Sequence, residues 1–306
     1  MSEPNSLPMA LQQLLRAYCA GEMPAGVALM HLSMAARNAA ELTAVLDRKL
    51  LPHGSDTDAV TLHRIDELIA LASSSSDAWN TVRGVAETLT HEPARHRNTE
   101  AAVRHIAIAF DRAVSVSPEG SVALYSLGRS DLLEQATTEI VEYMRSLDLV
   151  GRDRVLLDIG CGIGRFELAL ASHAAHIVGV DISAGMLDIA RRRCARNDNV
   201  SFHLCRGAHL PHFAAARFDC IFAVDSFPYI MQADPMLPGL YLKYSEHLLK
   251  PGGDLLILNF SYRSDPDADA RDVEDLARVN RLEPLRAGER PFHMWDGRVF
   301  HLRKAR

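Results

Sequence analysis

The chain reads as an α/β protein preceded by an all-helical region, and three observations predict this. From about residue 155 onward, short apolar runs alternate with segments of helical spacing. The first of those runs, Val155–Ile159, opens directly into a glycine cluster, Gly160-Cys161-Gly162-Ile163-Gly164, and the second, His176–Asp181, closes on an acid. Residues 1–113, by contrast, contain no convincing strand pattern, only apolar residues at helical spacing.

In chain order, Leu7–Cys19, Val27–Leu50 and Leu62–Ala72 are expected to be helical. In the last of these, Leu62, Ile65, Leu68, Ile69 and Ala72 share one face. Ser73–Ser76 is a polar break, after which Ser76 or Asp77 caps a helix carrying Trp79, Val82 and Val85. His91–Asn98, with Pro93, is a second break, and Thr99–Val114 returns to helix with Val103, Ile106, Ile108 and Phe110 as its apolar positions. We therefore divide the chain into a helical domain or cap over 1–113 and an α/β domain over 114–306. Ser115–Gly128 is the junction, and Ser130–Leu147 is an amphipathic helix leading into the first strand.

Val155–Ile159, a short apolar run ending in a glycine cluster, reads as a buried strand feeding a tight loop. Alternate glycines let the following loop approach a ligand closely. Ile163–Ser172 then has helical spacing, so the loop lies at a helix N-terminus, where free N–H groups favour anionic groups. His176–Asp181 is the second strand; Ser183 caps a helix over Met186–Cys194; Val200–Leu204 and Phe218–Val224 are strands. Met236–Leu249 is a helix stopped by Pro251-Gly252-Gly253, and Asp254–Phe260 is the next strand. The acidic stretch Asp265–Asp275 starts a helix, its carboxylates suiting the N-terminal end. Leu282–Arg286 and Arg298–Arg303 are late strands, with Asp296-Gly297 as a turn signal. Phe292 and Trp295 are expected to pack this last hairpin.

Composition narrows the function. Of 306 residues, 48% are hydrophobic and 24% charged, ordinary for a globular protein. A net charge of −6 leaves no footprint for nucleic acid. No apolar run reaches the length of a membrane span, and the first residues have neither the basic nor the apolar part of a secretory signal. The five cysteines form no Cys-x-x-Cys pair, which suits reduced thiols in a cytoplasm. Four lysines against twenty-nine arginines suit a GC-rich bacterial genome.

A dinucleotide fingerprint, Gly-x-Gly-x-x-Gly, would need glycine where Arg165 stands. The observed Asp158-Ile-Gly160-Cys-Gly162-Ile-Gly164 resembles instead motif I of the class I S-adenosylmethionine (SAM)-dependent methyltransferases, and Asp181 matches that family's ribose-binding acid. Phe218–Val224 resembles its fourth strand, and Leu248-Leu-Lys-Pro-Gly-Gly253 with Asp254–Phe260 its turn and fifth strand. The resemblance covers roughly residues 120–306. It implies a Rossmann-like seven-stranded sheet with a closing antiparallel hairpin, and methyl transfer from SAM to a small-molecule acceptor at an O, N or C atom.

The resemblance also implies site residues. Gly160, Cys161, Gly162 and Gly164 would meet the methionine end of SAM, with Asp158 near its amino group. Asp158 has a bland alternative, accepting N–H bonds of its own loop. Asp181 would take the ribose hydroxyls, with Ile182 and Met186 beside it. Relatives often read Gly-Asp-Ala-x-x-Leu-Pro where this chain has Cys205-Arg206-Gly207-Ala208-His209-Leu210-Pro211. Arg206 replaces the acid that contacts adenine, so Gly207, Ala208 and neighbouring apolar groups are left for that role. Asp225 and Tyr229, after the fourth strand, would face the transferred methyl: Asp225 as contact to SAM, orienting group or base, Tyr229 as pocket wall. Asn259, Ser261 and Tyr262 fall near the same mouth. Tyr125 would close over the methionine end. His203, Cys205, His209 and His212 are residue types that suit zinc, but their spacing matches no zinc pattern, and no metal is expected. The helical domain would cover the acceptor site or join two copies. Two other readings stay open: another SAM-using transferase on the same fold, or a SAM-binding protein that regulates rather than catalyses.

Overall fold

In a computed structural model, residues 8–47, 58–89, 98–205 and 208–306 are described. Val155–Ile159 forms β1, buried from Leu156 to Ile159, and it pairs in parallel with both β2 (His176–Asp181) and β4 (Phe218–Val224). β3 (Val200–Leu204) lies outside β2, and β5 (Leu249–Leu258) outside β4. β7 (Val299–Lys304) inserts antiparallel between β5 and β6 (Leu282–Glu289), giving the order β3-β2-β1-β4-β5-β7-β6. This is the Rossmann-like seven-stranded sheet with its closing antiparallel hairpin. Continuous apolar runs make the central strands because both faces are covered by helices. The edges read differently: β3 leaves His203 and Leu204 exposed, and β6 tolerates Pro284 beside an irregular register, as edge strands do.

The helices are α1 (Met9–Cys19), α2 (Ala25–Ala35), α3 (Ala39–Val45), α4 (Ala59–Ser74), α5 (Ala78–Ala86), α6 (Thr99–Val116), α7 (Pro118–Val122) and α8 (Ser130–Ser146) before β1. After it come α9 (Arg165–Leu170), α10 (Ala184–Arg193), α11 (Phe227–Ala233), α12 (Leu237–Leu248) and α13 (Pro266–Val279). Three expectations are corrected. The stretch Val27–Leu50 is two helices broken at Ala36-Arg37-Asn38, where the Asn38 side chain accepts from Glu41 N and starts α3; residues 48–50 lie outside the described residues. The junction 115–128 holds α7, begun by Ser117 as its cap, and a 3₁₀ turn at Leu124–Ser126. The segment after Asp225 is helix α11 rather than loop, with Pro228 in its first turn.

Contacts divide the chain into two units less simply than a cut at residue 113. One unit comprises 1–88, 113–136 and 293–296; the other comprises 89–112, 137–292 and 297–306. The first has its own core, in which Tyr18, Leu29, Leu32, Val45, Leu68 and Val82 are fully buried. The second is built around the sheet, with Leu157, Val178, Ile221, Phe227, Ile257 and Phe300 at its centre. Among the described residues, no helix is long and apolar enough to cross a membrane.

Two polar ties hold the sheet in register. Asp219 accepts from Val155 N at 2.8 Å and from Lys250 Nζ at 2.7 Å, locking β1, β4 and the start of β5 together. Buried Asp254 on β5 accepts from His301 Nε2 and from Arg303 Nε on β7, both at 2.8 Å. Burial pulls the Asp254 carboxyl up, but the His301 and Arg303 bonds outweigh it and hold it below the usual range.

Candidate active site

Strand order reverses between β1 and β4, so the carboxyl ends of these strands frame the crevice where open α/β sheets bind ligands. The glycine loop fills its base. Gly160, Gly162 and Gly164 all take positive φ, at 83°, 54° and 74°. At Gly160 a side chain is excluded twice over, because a Cβ there would also lie 2.4 Å from Ser226 Cβ at the end of β4. That approach is fixed from the other side by Ser226 Oγ, which donates to Ile159 O at 2.6 Å.

The loop hangs from β2. Gly160 N and Cys161 N donate to Val180 O at 2.8 and 3.1 Å, and Gly162 N donates to Asp181 Oδ2 at 2.8 Å. The other Asp181 oxygen accepts from Ser183 N at 2.8 Å. Asp181 thereby joins the glycine loop to the start of α10. Burial pushes its carboxyl up to about 6 against the pull of the Ser183, Gly162 and Ile182 N–H groups. Each of its oxygens keeps a lone pair for a ligand hydroxyl. Ser183 caps α10 by accepting from Met186 N at 3.0 Å and donates its hydroxyl hydrogen bond to Asp111 Oδ1. Asp111, on α6, also accepts from Gly185 N at 2.9 Å. Its position at this helix start had no signal in the sequence, since Asp111 stands 74 residues before Gly185.

Asp158 does not tie down its loop. Neither of its oxygens finds an N–H or O–H donor among the described residues, and neither does either oxygen of Glu167 on α9. Both side chains are buried, and each carboxyl perturbs the other. Cys161 and Met186 are buried beside the loop, and burial raises the Cys161 thiol, so it stays protonated. Ile182 and Ala208 are half-buried against the sheet core. Gly207, with Arg206, lies outside the described residues. In the same stretch Cys205 N donates to Asp181 O at 2.7 Å, its Sγ contacts His209 O at 3.0 Å, and the His209 ring meets Tyr244 Oη at 2.7 Å. His203 instead meets Phe213 edge-on.

Asp225 sits just beyond β4 with φ 58°, and Asn259 just beyond β5 with φ 65°. The left-handed conformation is tolerable for these two residue types and uncommon for others. Asn259 Nδ2 donates to Asp225 Oδ1 at 3.0 Å, while Asn259 Oδ1 accepts from Arg298 N at 2.9 Å. The amide thus holds the carboxylate against the sheet edge. Tyr229 on α11 packs edge-to-face with Phe110 at 4.8 Å and with Tyr262 at 5.6 Å. Burial, then the nearby Asp225 charge, raise its hydroxyl, which remains a neutral donor. Carboxylate, amide and aromatic wall meet at one strand-end cluster. Tyr125 belongs to the helical unit and stacks on Trp295 at 5.8 Å, the residue expected in the last hairpin; Phe292 packs against Tyr143.

The family model described as "Methyltransferase domain" matches residues 156–253. Over 156 residues the chain is 33% identical to the demethylmenaquinone methyltransferase of Clavibacter sepedonicus, covering 51% of this chain and 58% of that protein. It is 32% identical over 101 residues to a ubiquinone biosynthesis O-methyltransferase of Coxiella burnetii, covering 33% of this chain and 41% of that one. The chain thus spans about half the length of the curated relatives it matches. Among solved structures, phosphoethanolamine N-methyltransferase 1 of Haemonchus contortus, in complex with phosphoethanolamine and S-adenosylhomocysteine, superposes with a TM-score of 0.54 at 16% identity, covering 69% of this chain and 50% of that one. That likeness is one of fold.

Proposed function

We propose that this chain, which carries a class I SAM-dependent methyltransferase domain over residues 156–253, transfers a methyl group from SAM to a small-molecule acceptor. The observation that carries the reading is the glycine loop clamped to Asp181 in the crevice between β1 and β4. The residues present fit the cofactor. The loop offers backbone without side chains where a Cβ would clash, Asp181 offers lone pairs to a diol, and Asp158 is a buried acid lacking a donor, ready for an ammonium group. Ile182, Met186 and Ala208 supply apolar surface for adenine. The curated relatives named above are small-molecule methyltransferases, which supports the acceptor class.

SAM supplies an electrophilic methyl on a sulfonium. The chain's own task is to hold an acceptor atom in line with that methyl and to manage the acceptor's proton. We assign the latter to Asp225, anchored by Asn259, and the pocket wall to Tyr229 with Phe110 and Tyr262. Acceptor selection is assigned to the helical unit, which has a separate core; self-association through it is a second role, read by sedimentation equilibrium. Titration calorimetry tests the central claim: SAM and S-adenosylhomocysteine should both bind, and absence of binding at millimolar ligand would overturn it.

A further inference from the structure

Asp158 and Glu167 pose a problem in electrostatics. Asp158 is 1% exposed and Glu167 0%, and none of their four carboxyl oxygens has a donor among the described residues. The two groups face each other beneath the glycine loop, Asp158 from β1 and Glu167 from the first turn of α9. Space for Glu167 is provided on β2: a Cβ at Gly179 would lie 2.6 Å from Glu167 Oε1. The surroundings offer little compensating charge. Among the described residues Arg165 is the cation acting on the pair, and its guanidinium lies over the Phe166 ring at 4.4 Å and reaches Thr137 Oγ1 at 3.4 Å. Asp181 on β2 adds a third acid, while the thiols of Cys161 in the loop, Cys194 after α10 and Cys220 on β4 are all raised by burial and stay neutral.

Two adjacent buried carboxyls without donors cannot both be ionised. One proton between them satisfies both, the donor of one group meeting the acceptor of the other. Nothing in the packing of α9 requires an ionisable side chain at 167; an apolar residue would fill the same volume without the cost of burying a carboxyl.

We infer that Glu167 is a cofactor-positioning residue: it shares one proton with Asp158 in the unliganded protein, and that proton passes to solvent when the amino-acid ammonium of SAM arrives at the end of β1. The exchange is balanced in charge, one positive charge entering the crevice as one leaves it. Burial sets the poise, lifting Asp158 well above the carboxylate range and Glu167 to about 8, so the pair holds its proton at neutral pH. In a low-dielectric interior the arriving cation is felt across several ångströms, so contact with Asp158 is not required. Glu167 thereby keeps the empty crevice from carrying an uncompensated buried charge and yields a full carboxylate only to a cationic ligand.

This inference rests on the SAM-binding reading, and titration calorimetry of the intact protein separates the two. Measured at pH 7 in phosphate and in Tris, whose ionisation heats differ, binding of SAM to the wild type should release about one proton, and affinity should rise about tenfold per pH unit between 6 and 7.5. S-adenosylhomocysteine, which keeps the ammonium, should also release a proton. In Glu167→Gln the release should fall to near zero and the pH slope should flatten, whatever happens to affinity. A packing role alone would shift affinity or stability and leave the proton count unchanged. Binding with no buffer-dependent heat, or with equal release in both proteins, would overturn the inference and leave the cofactor reading standing. No binding at all would overturn both. A wild-type proton count of zero overturns the inference even if the variant fails to fold.

Discussion

Asp181 carries two duties at once, which makes its substitution informative. It holds the glycine loop through Gly162 N and the entry to α10 through Ser183 N. Asp181→Ala should weaken SAM by roughly 1–3 kcal/mol, the cost of losing hydrogen bonds to a charged group, as read by calorimetry; unchanged affinity would remove Asp181 from the cofactor site. Asp225 offers a sharper test because Asp225→Asn keeps shape and removes charge. If Asp225 takes the acceptor's proton, the rate at saturating substrate should fall roughly 10²–10⁴-fold with SAM affinity little changed. A fall in affinity with the rate preserved would instead make it a cofactor anchor. Tyr229→Phe belongs beside it, because residues in one cluster need not act additively.

The elements that place those residues depend on a few polar ties. Asp254 sits where the antiparallel strand β7 joins the parallel sheet, and it meets both a buried His301 and Arg303. Asp254→Ala should destabilise the protein by about 3 kcal/mol, in the range for breaking a buried pair, measured by chemical denaturation, with β7 the first strand to lose amide protection. Most strands were legible: β1, β2, β3 and β4 occupy the residues their apolar runs mark. Three helices were not, α7 in the junction among them. The break within Val27–Leu50 depends on a side-chain cap by Asn38, a local bond that apolar spacing does not register. Helix α11 is short and starts with proline, which reads as a loop although a first helical turn accepts it.

For the whole molecule, pH acts through burial. Asp181 is raised to about 6 and Glu167 to about 8, above the values near 4 of unfolded carboxyls. The folded chain therefore keeps protons that the unfolded chain has released. That contribution is complete below about pH 4, falls as pH rises above it, and is gone above about pH 8. Asp254 works oppositely: its carboxyl is depressed, so its contribution is present above about pH 4 and is lost below. Stability of the ligand-free protein should peak at about pH 4 and decline toward 8. Thermal melts across pH 3.5–8.5 should show this, and Glu167→Gln or saturating SAM should flatten the decline. A melting temperature that climbs steadily from pH 5 to 8 would contradict it.

The sequence by itself determined the central buried strands, the glycine loop and the place of Asp181, because these follow from local rules; the order of the sheet was implied by the family resemblance. A run of apolar residues must be buried, alternate glycines license one backbone path, and an acid ending a strand falls at the crevice edge. Only the tertiary structure decided what depends on neighbours distant along the chain. It brought Asn259 onto Asp225 and Asp111 onto the start of α10, and it gave Tyr125 to Trp295 in the helical unit. It also left Asp158 and Glu167 facing each other without a donor. Hydrogen bonding and burial belong to the three-dimensional surroundings of a group, and residue type and spacing along the chain do not specify those surroundings.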